Sequence, residues 1–435
     1  MSLNSYLSNG VISAVGKKMD KAYQTDMNRK GRRLKLLIIA PDTFPPYRPD
    51  IQVLYGERIA SRGHKIDMIL PSSDECFHVR IQEWNNLSVT VTPSTQGMSF
   101  KNRVIRNIQN AVYDLVFIKK TITSEYDYVQ IRDKFTTVII FILFNAFGKK
   151  NLIYWLSFSL PELYKHKAKH ENVNFSFLYF LRGAVSGLIL YRIVPKFAKH
   201  IFVQSERMKK DFTNRGVSEA KLTAVPMGIS ASALPPVEHT AGNQPGNVAK
   251  RFIYVGALDR PRHLDFLVRA FAIIIKEVPY AEMFFIGSAT NRDDVSILKN
   301  EARRLGITES VKFTGFLPRS EVWEHVKVSQ ICRSPSFPSP MLITTTPTKC
   351  IEYMAMGKPV IGNSEIPDME YVLNESGGGL CVPWDEKAFS EAGLELLRDP
   401  GKARQMGIKG REWVLKHREY ERIADIVESK YFELL

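Results

Sequence analysis

Cysteine is scarce in this chain. Its 435 residues hold only Cys76, Cys332, Cys350 and Cys381, and no Cys-x-x-Cys. That scatter excludes a disulfide framework and a thiolate metal site, and it points to reduced thiols in the cytoplasm. An Asp-x-Asp pair is also missing, so no metal and no other cofactor is expected. Acidic residues are sparse in the first half. Residues 1–245 hold 34 Lys and Arg against 19 Asp and Glu, whereas residues 246–435 hold 26 of each. The whole formal net charge of +15 therefore lies in the first half. Such a surface attracts nucleic acid or anionic lipid, or simply keeps a protein soluble. The chain shows no nucleic-acid motif and no aromatics interleaved with its basic residues, so no nucleic-acid partner is expected. A secretory leader is not seen either. Residues 1–33 are polar and then basic, ending in Arg29-Lys30-Gly31-Arg32-Arg33, without a long apolar core. Apolar runs free of charge and long enough to span a bilayer are lacking. Thr137 to Phe147 is too short, and Phe175 to Val194 is broken by Arg182 and Arg192. Each reads as a buried crossover helix or, with basic residues at its edges, as a helix lying on a membrane.

What is present is an alternation of strand and helix, repeated twice. The length exceeds one comfortable core, so two domains of roughly 200 residues are expected. Leu34 to Ala40 is a continuous apolar run bounded by Pro41, as in a parallel strand buried on both faces. A loop through Arg48 and a helix ending near Arg62-Gly63 lead to a second strand, Lys65 to Leu70, and His64 between them reads as structural. Tyr126 to Asp133 is a further strand. Arg132 and Asp133 stand at its carboxyl end, where ligands bind in open α/β sheets, although the two could equally pair with each other. Asn151 to Leu156 is a strand that ends at Ser157 and leads to Glu162. His200 to Gln204 and Leu222 to Val225 complete the first half, with Ser205 set to cap the helix between them. A linker rich in Ala, Pro, Gly and Asn follows. The pattern then restarts at Arg251 to Val255 and continues through Ala281 to Ile286, Val311 to Thr314 and Gly378 to Val382.

The stretch Thr346-Pro347-Thr348-Lys349-Cys350-Ile351-Glu352-Tyr353-Met354-Ala355-Met356-Gly357-Lys358-Pro359-Val360-Ile361 organises the second half. It reads as a short helix and a buried strand. Thr346 suits an N-cap, Pro347 the first helical position, and Gly357 the left-handed end. A helix N-terminus presents free N–H groups and about half a positive charge, which favours phosphate. Lys349 in the first turn opposes the helix dipole unless an anion binds there. Glu352, three residues on, lies on the same side, where a carboxylate can accept two hydrogen bonds from a ribose diol. A capped amphipathic helix with a surface Glu–Lys pair fits these features equally well.

Glu352, Met354, Ala355, Gly357, Lys358, Pro359 and Val360 resemble the nucleotide-sugar signature of retaining glycosyltransferases of family 4, and the resemblance extends from Leu34 to the C-terminus. It implies the GT-B architecture, with two Rossmann-like α/β domains whose parallel sheets face each other across a cleft. The implied division is an arm at 1–33, an acceptor domain at 34–228, a linker at 229–249, a donor domain at 250–410 and a helix at 411–435 crossing back. It also implies an enzyme moving a sugar from a UDP- or GDP-sugar to a lipid-linked or glycan acceptor. The basic first half and the Arg-edged apolar run at 175–194 separately predict a cytoplasmic protein, peripheral on the inner face of an anionic membrane. On the family reading Glu352 holds the ribose, and Arg262, Lys349, Thr346, Thr348, Gly256 and Gly315 line the donor. Arg262 and Lys349, with Arg132 and Asp133, are the catalytic candidates. Arg48, Ser157 and Glu162 face the acceptor.

Several residues depart from that pattern. The family places a Gly-Gly pair after the first strand, where this chain has Arg48-Pro49-Asp50. A histidine is usual near Ser157 and is missing. The signature's first glutamate, eight residues before Glu352, is Thr344, and no acid occurs from Ser334 to Thr345. These departures motivate a second reading, a catalytically silent binding subunit of the same fold.

Overall fold

The computed structural model describes residues 32–76, 78–97, 99–122, 125–145, 150–170, 176–235 and 250–435. Residues 1–31 of the expected arm and 236–249 of the expected linker lie outside the described residues.

The apolar runs become strands because a parallel strand covered on both faces excludes water from every side chain. In β1 (Lys35–Ile39), Leu36 to Ile39 are all buried. Next come α1 (Asp50–Ile59), wound as a π-helix, and β2 (Lys65–Pro71), parallel to β1. A hairpin that no apolar run announces follows. Its strands are β3 (Arg80–Trp84) and β4 (Leu87–Thr92), joined through Asn85 and Asn86 at φ 49° and 64°. Two consecutive positive φ angles match the right-handed twist of paired strands, and asparagine tolerates them. Then come α2 (Phe100–Ile122), β5 (Tyr128–Arg132), α3 (Phe135–Phe144), β6 (Asn151–Leu156) and α4 (Leu160–His170). After α5 (Ser176–Leu188), a π-wound turn (Ile189–Ile193) leads to α6 (Val194–Phe197), β7 (His200–Val203), α7 (Glu206–Thr213) and β8 (Leu222–Ala224). The eight strands form one sheet in the order β3-β4-β2-β1-β5-β6-β7-β8. Of the apolar segment at 137–147, the described part is half-buried: α3 buries Val138 and Phe141 and exposes Leu143 and Phe144, while residues 146 and 147 lie outside the described residues.

The second sheet is entirely parallel, in the order β11-β10-β9-β12-β13-β14. Its elements are β9 (Lys250–Val255), α8 (Asp265–Glu277), β10 (Ala281–Ile286), α9 (Arg292–Arg304), β11 (Val311–Gly315), α10 (Arg319–Val328) and β12 (Ile331–Ser334). They continue with α11 (Thr348–Ala355), β13 (Val360–Asn363), α12 (Pro367–Ser376), β14 (Gly379–Val382) and α13 (Glu386–Arg398). Alternate residues of β9 serve opposite faces. Phe252 and Tyr254 pack with Phe271 of α8 and Phe389 of α13, while Ile253 packs with Ile351 and Met354 of α11 and Met369 of α12. The chain ends in α14 (Pro400–His417) and α15 (Tyr420–Glu433).

By packing, the chain forms two compact units. One ends at Ile153 and takes in Ala424–Leu435, and the other is Tyr154–Ile423. Within the first unit, three buried side chains close a hydrogen-bonded ring. The Tyr431 hydroxyl donates to Gln130 Oε1 at 2.5 Å, and Gln130 Nε2 donates to the Tyr55 hydroxyl at 2.9 Å. The two tyrosine hydroxyls stand 2.9 Å apart. His64 is structural. Its Nδ1 accepts from the Leu34 N–H at 3.1 Å, and its Nε2 lies 2.6 Å from Glu428.

Candidate functional site

The donor-side residues all belong to the second unit. α11 starts at Thr348, with Pro347 in the capping position and no side-chain cap. Thr346 is therefore not the cap expected from its sequence position. Its hydroxyl donates instead to the Gln204 carbonyl, 3.0 Å away. Next to it, Ser205 donates to the Thr344 carbonyl at 2.6 Å and caps α7 by accepting from Met208 N–H. Two hydrogen bonds thus fasten the loop before α11 to the carboxyl end of β7. Gly357, at φ +69°, ends the helix as its position predicts.

Lys349 reaches from the first turn of α11 to the carboxyl end of β9. Its Nζ donates to the Tyr254 hydroxyl at 2.9 Å and sits 4.5 Å above the Tyr254 ring. Burial pushes its pKa below the ordinary lysine value, the Tyr254 oxygen opposes that, and the nearby Arg262 charge pushes it down further. Gly256 makes this approach feasible. At φ +141° it occupies backbone space suited to glycine, and a Cβ there would lie 2.3 Å from Lys349 Cε. Arg262 closes the turn Arg260–Arg262 after β9 and makes no ion pair with any described residue. The following residue, His263, has φ +51°, and its ring lies 4.0 Å from that of Phe337.

Glu352 lies one turn beyond Lys349. Burial raises its pKa, while Arg319 and Lys349 pull it down. Arg319, at the start of α10, stands 3.8 Å from the Glu352 carboxylate. Gly315, at φ +75°, closes β11 and accepts the Gly287 N–H at 2.9 Å. The structure thus brings Glu352, Lys349, Arg262, Gly256 and Thr348 to the carboxyl edge of β9 and the first turns of α11. Thr346 stands behind them with its hydroxyl engaged. At the expected place of the first glutamate, the Thr344 hydroxyl donates to the Met341 carbonyl and the residue is buried. Buried Asn363 holds the preceding loop through both the N–H and the carbonyl of Ser336.

Arg132, Asp133 and Arg48 meet in the first unit, in an ion cluster. Arg132, 1% exposed, stands 2.6 Å from Asp50 and 3.6 Å from both Asp42 and Asp133. Arg48 lies 3.2 Å from Asp50 and 3.8 Å from Asp42. Burial would raise the Asp50 pKa, but Arg132 and Arg48 outweigh it and hold the carboxyl low. Arg132 therefore pairs chiefly with Asp50, more closely than with its chain neighbour Asp133. Asp133 itself adopts a left-handed backbone at φ +48°. Ser157 and Glu162 belong to the second unit. Ser157 is fully buried, and Glu162 is held by Arg215 at 2.8 Å and by the Tyr191 hydroxyl at 3.1 Å.

Sequence reasoning missed Tyr254, Arg319, Gln204 and Asp42. Arg319 had a signal, since it directly follows the Gly315-Phe316-Leu317-Pro318 loop. Tyr254 had none, because its face of β9 is set by packing. Among the described residues, no group of three or more His, Cys, Asp or Glu side chains is placed to hold a metal ion.

A largely parallel first sheet with one antiparallel edge strand and a wholly parallel second sheet are the architecture of the GT-B class of glycosyltransferase folds. Sucrose-phosphate synthase from Thermosynechococcus elongatus has this fold with a TM-score of 0.70 and 19% identity, covering 92% of this chain and 99% of that one. The Anabaena protein Alr3699/HepE, solved in complex with UDP, aligns with a TM-score of 0.64 and 14% identity over 91% of this chain and 99% of that one. Residues 241–413 match the family model for glycosyl transferases group 1. In sequence, 174 residues are 26% identical to the GDP-mannose-dependent alpha-(1-6)-phosphatidylinositol monomannoside mannosyltransferase of Mycolicibacterium smegmatis. That alignment spans 38% of this chain and 44% of the relative, under half its length.

Proposed function

We propose that the chain is a retaining glycosyltransferase. It takes a hexosyl group from a UDP- or GDP-sugar and passes it to a lipid-linked or glycan acceptor. It works in the cytoplasm, held peripherally on the inner face of an anionic membrane. The observation that carries the donor reading is the grouping of Lys349, Arg262 and Glu352 at one strand edge beside an open helix N-terminus. Lys349 opposes the helix dipole and is depressed in pKa by its surroundings, so an anion bound there relieves both penalties. Arg262 suits a diphosphate because its planar fork matches two oxygens at once. As the sugar–oxygen bond breaks, negative charge grows on the departing diphosphate, where the two cations and the α11 N–H groups stabilise it. Glu352 accepts the ribose hydroxyls. The GDP-mannose dependence of the mycolicibacterial relative and the UDP bound to the Anabaena structure support a nucleotide-sugar as the donor.

Arg262→Ala tests the assignment. We expect turnover to fall by about 10²–10³, as when one donor to a developing oxyanion is removed, with nucleoside affinity nearly unchanged. Equal losses of nucleoside affinity and turnover would instead place Arg262 away from the diphosphate. The missing acid at Thr344 favours the second reading, a silent binding subunit. Transfer or donor hydrolysis by the purified chain excludes it, and nucleotide binding without either supports it.

A further inference from the structure

α5 is built inside out. Its protein-facing side is made of Gly183, Ser186 and Gly187, all buried. Its large apolar side chains point the other way: Phe177, Leu178, Phe180, Leu181, Val185 and Leu188 are 47% to 70% exposed. An ordinary surface helix does the reverse and turns its apolar stripe to the core. The small residues let α5 lie close against α4. A Cβ added at Gly183 would sit 2.8 Å from Lys165 Cγ and 3.1 Å from the Pro161 carbonyl. The inversion is therefore fixed by packing, since turning the helix over would drive phenylalanines into that contact. A contiguous exposed patch of this kind marks a contact with something apolar.

Charge selects the occupant. Residues 176–199 carry Arg182, Arg192, Lys196 and Lys199 and no acid at all. α4 beside it adds Lys165, Lys167 and Lys169 against the single Glu162. Arg182 stands at the border of the apolar face, its guanidinium 4.4 Å above the Tyr164 ring of α4. Apolar side chains bordered by cations fit the acyl–headgroup boundary of an anionic bilayer. A second copy of the same face would bring cation against cation. The helical run Ser176–Phe197 has 22 residues, enough by length to cross a bilayer. Crossing is opposed by Arg182 and Arg192 within it, by the π-wound turn at Ile189–Ile193, and by the side held against α4.

We infer that α5 is an interfacial anchor, lying in the plane of an anionic lipid surface with its phenylalanine and leucine face inserted. This rests on the peripheral placement proposed above and is independent of the donor site. The test uses the full chain with phosphatidylcholine vesicles, with and without phosphatidylglycerol. The protein is expected to co-sediment with the anionic vesicles, less so as salt shortens the Debye length. The triple variant Phe177→Ser, Phe180→Ser and Leu181→Ser is expected to lower the partition coefficient by about tenfold or more, since each removes an inserted side chain. These positions are exposed, so nucleotide binding by the variant serves as the folding control. As a second measurement, Leu188→Trp should give added fluorescence that is quenched by brominated lipid. Three outcomes overturn the inference. Unchanged partitioning of the triple variant, with no quenching at position 188, would leave peripheral binding intact and remove α5 from it. No binding to either vesicle would remove both. A dimer that the triple variant converts to monomer, without vesicle binding, would make the face a self-association surface.

Discussion

Glu352→Ala is expected to weaken donor nucleotide binding at least about tenfold while leaving the fold intact, because charge-assisted hydrogen bonds to the ribose are worth about 1.5–3 kcal/mol each. Burial raises the Glu352 pKa above the ordinary glutamate value. A carboxyl raised on folding contributes stability below its unfolded pKa and loses it as pH rises through the folded value. At neutral pH ionisation of Glu352 is thus disfavoured in the empty protein, and its removal is expected to change the melting temperature little. Binding has the opposite sign, since the ribose diol requires the ionised form. As pH falls, affinity should drop at a higher pH than an ordinary glutamate would give, and Glu352→Gln should abolish that limb. Calorimetric titration of GDP and UDP at several pH values measures both effects. Wild-type affinity in a folded Glu352→Ala protein would end the ribose assignment and leave only a surface ion pair with Arg319.

Asp50→Asn should act in the other way, on stability and little on the donor nucleotide. Removing one partner from a buried ion pair leaves an uncompensated charge, a loss of about 3–5 kcal/mol. Asp42 and Asp133 still face Arg132, so the lower end of that range is expected. The sign with pH is again fixed by direction. Asp50 is held below its ordinary value, so its contribution is present above the unfolded aspartate pKa, near about 4, and is lost as pH falls through the folded value. The variant should therefore be less stable at neutral pH and show a shallower acid limb. Urea unfolding at pH 7 and at successively lower pH tests this. A change under about 1 kcal/mol at pH 7 would mean that the cluster is solvated and worth no more than surface pairs.

How much of this was legible in the sequence depended on the range of the contacts involved. Buried parallel strands announce themselves, because each residue needs an apolar side chain. Asn151–Leu156 and Ala281–Ile286 coincide with their apolar runs. The GT-B fold followed from such runs together with the motif around Glu352. The hairpin at 80–92 was silent by that measure, because its outer strand is largely exposed, and only Asn85-Asn86 marks it. At the site, the helix end at Gly357 could be read locally, since a left-handed residue followed by Pro359 has few other uses. The Thr346 cap could not. Its hydroxyl partner, Gln204, is 142 residues away, and nothing in the local spacing reveals a long-range acceptor that outcompetes a cap. The same holds for Arg132. Its closest partner, Asp50, is 82 residues back, although the adjacent Asp133 was the visible one.

The ring of Tyr55, Gln130 and Tyr431 has a consequence for genetics. Tyr431 lies in the last turn of α15, where helices fray and a substitution would ordinarily be harmless. Here the last turn of α15 carries a hydroxyl that completes a closed circuit of buried polar groups, and the Tyr431 carbonyl accepts the Tyr128 hydroxyl at 2.9 Å. A reading frame ending at Lys430 would take the Tyr431 hydroxyl from Gln130 and its carbonyl from the Tyr128 hydroxyl, and lost bonds between buried polar groups are costly. Truncations that remove Tyr431 should therefore behave as strong loss-of-function alleles.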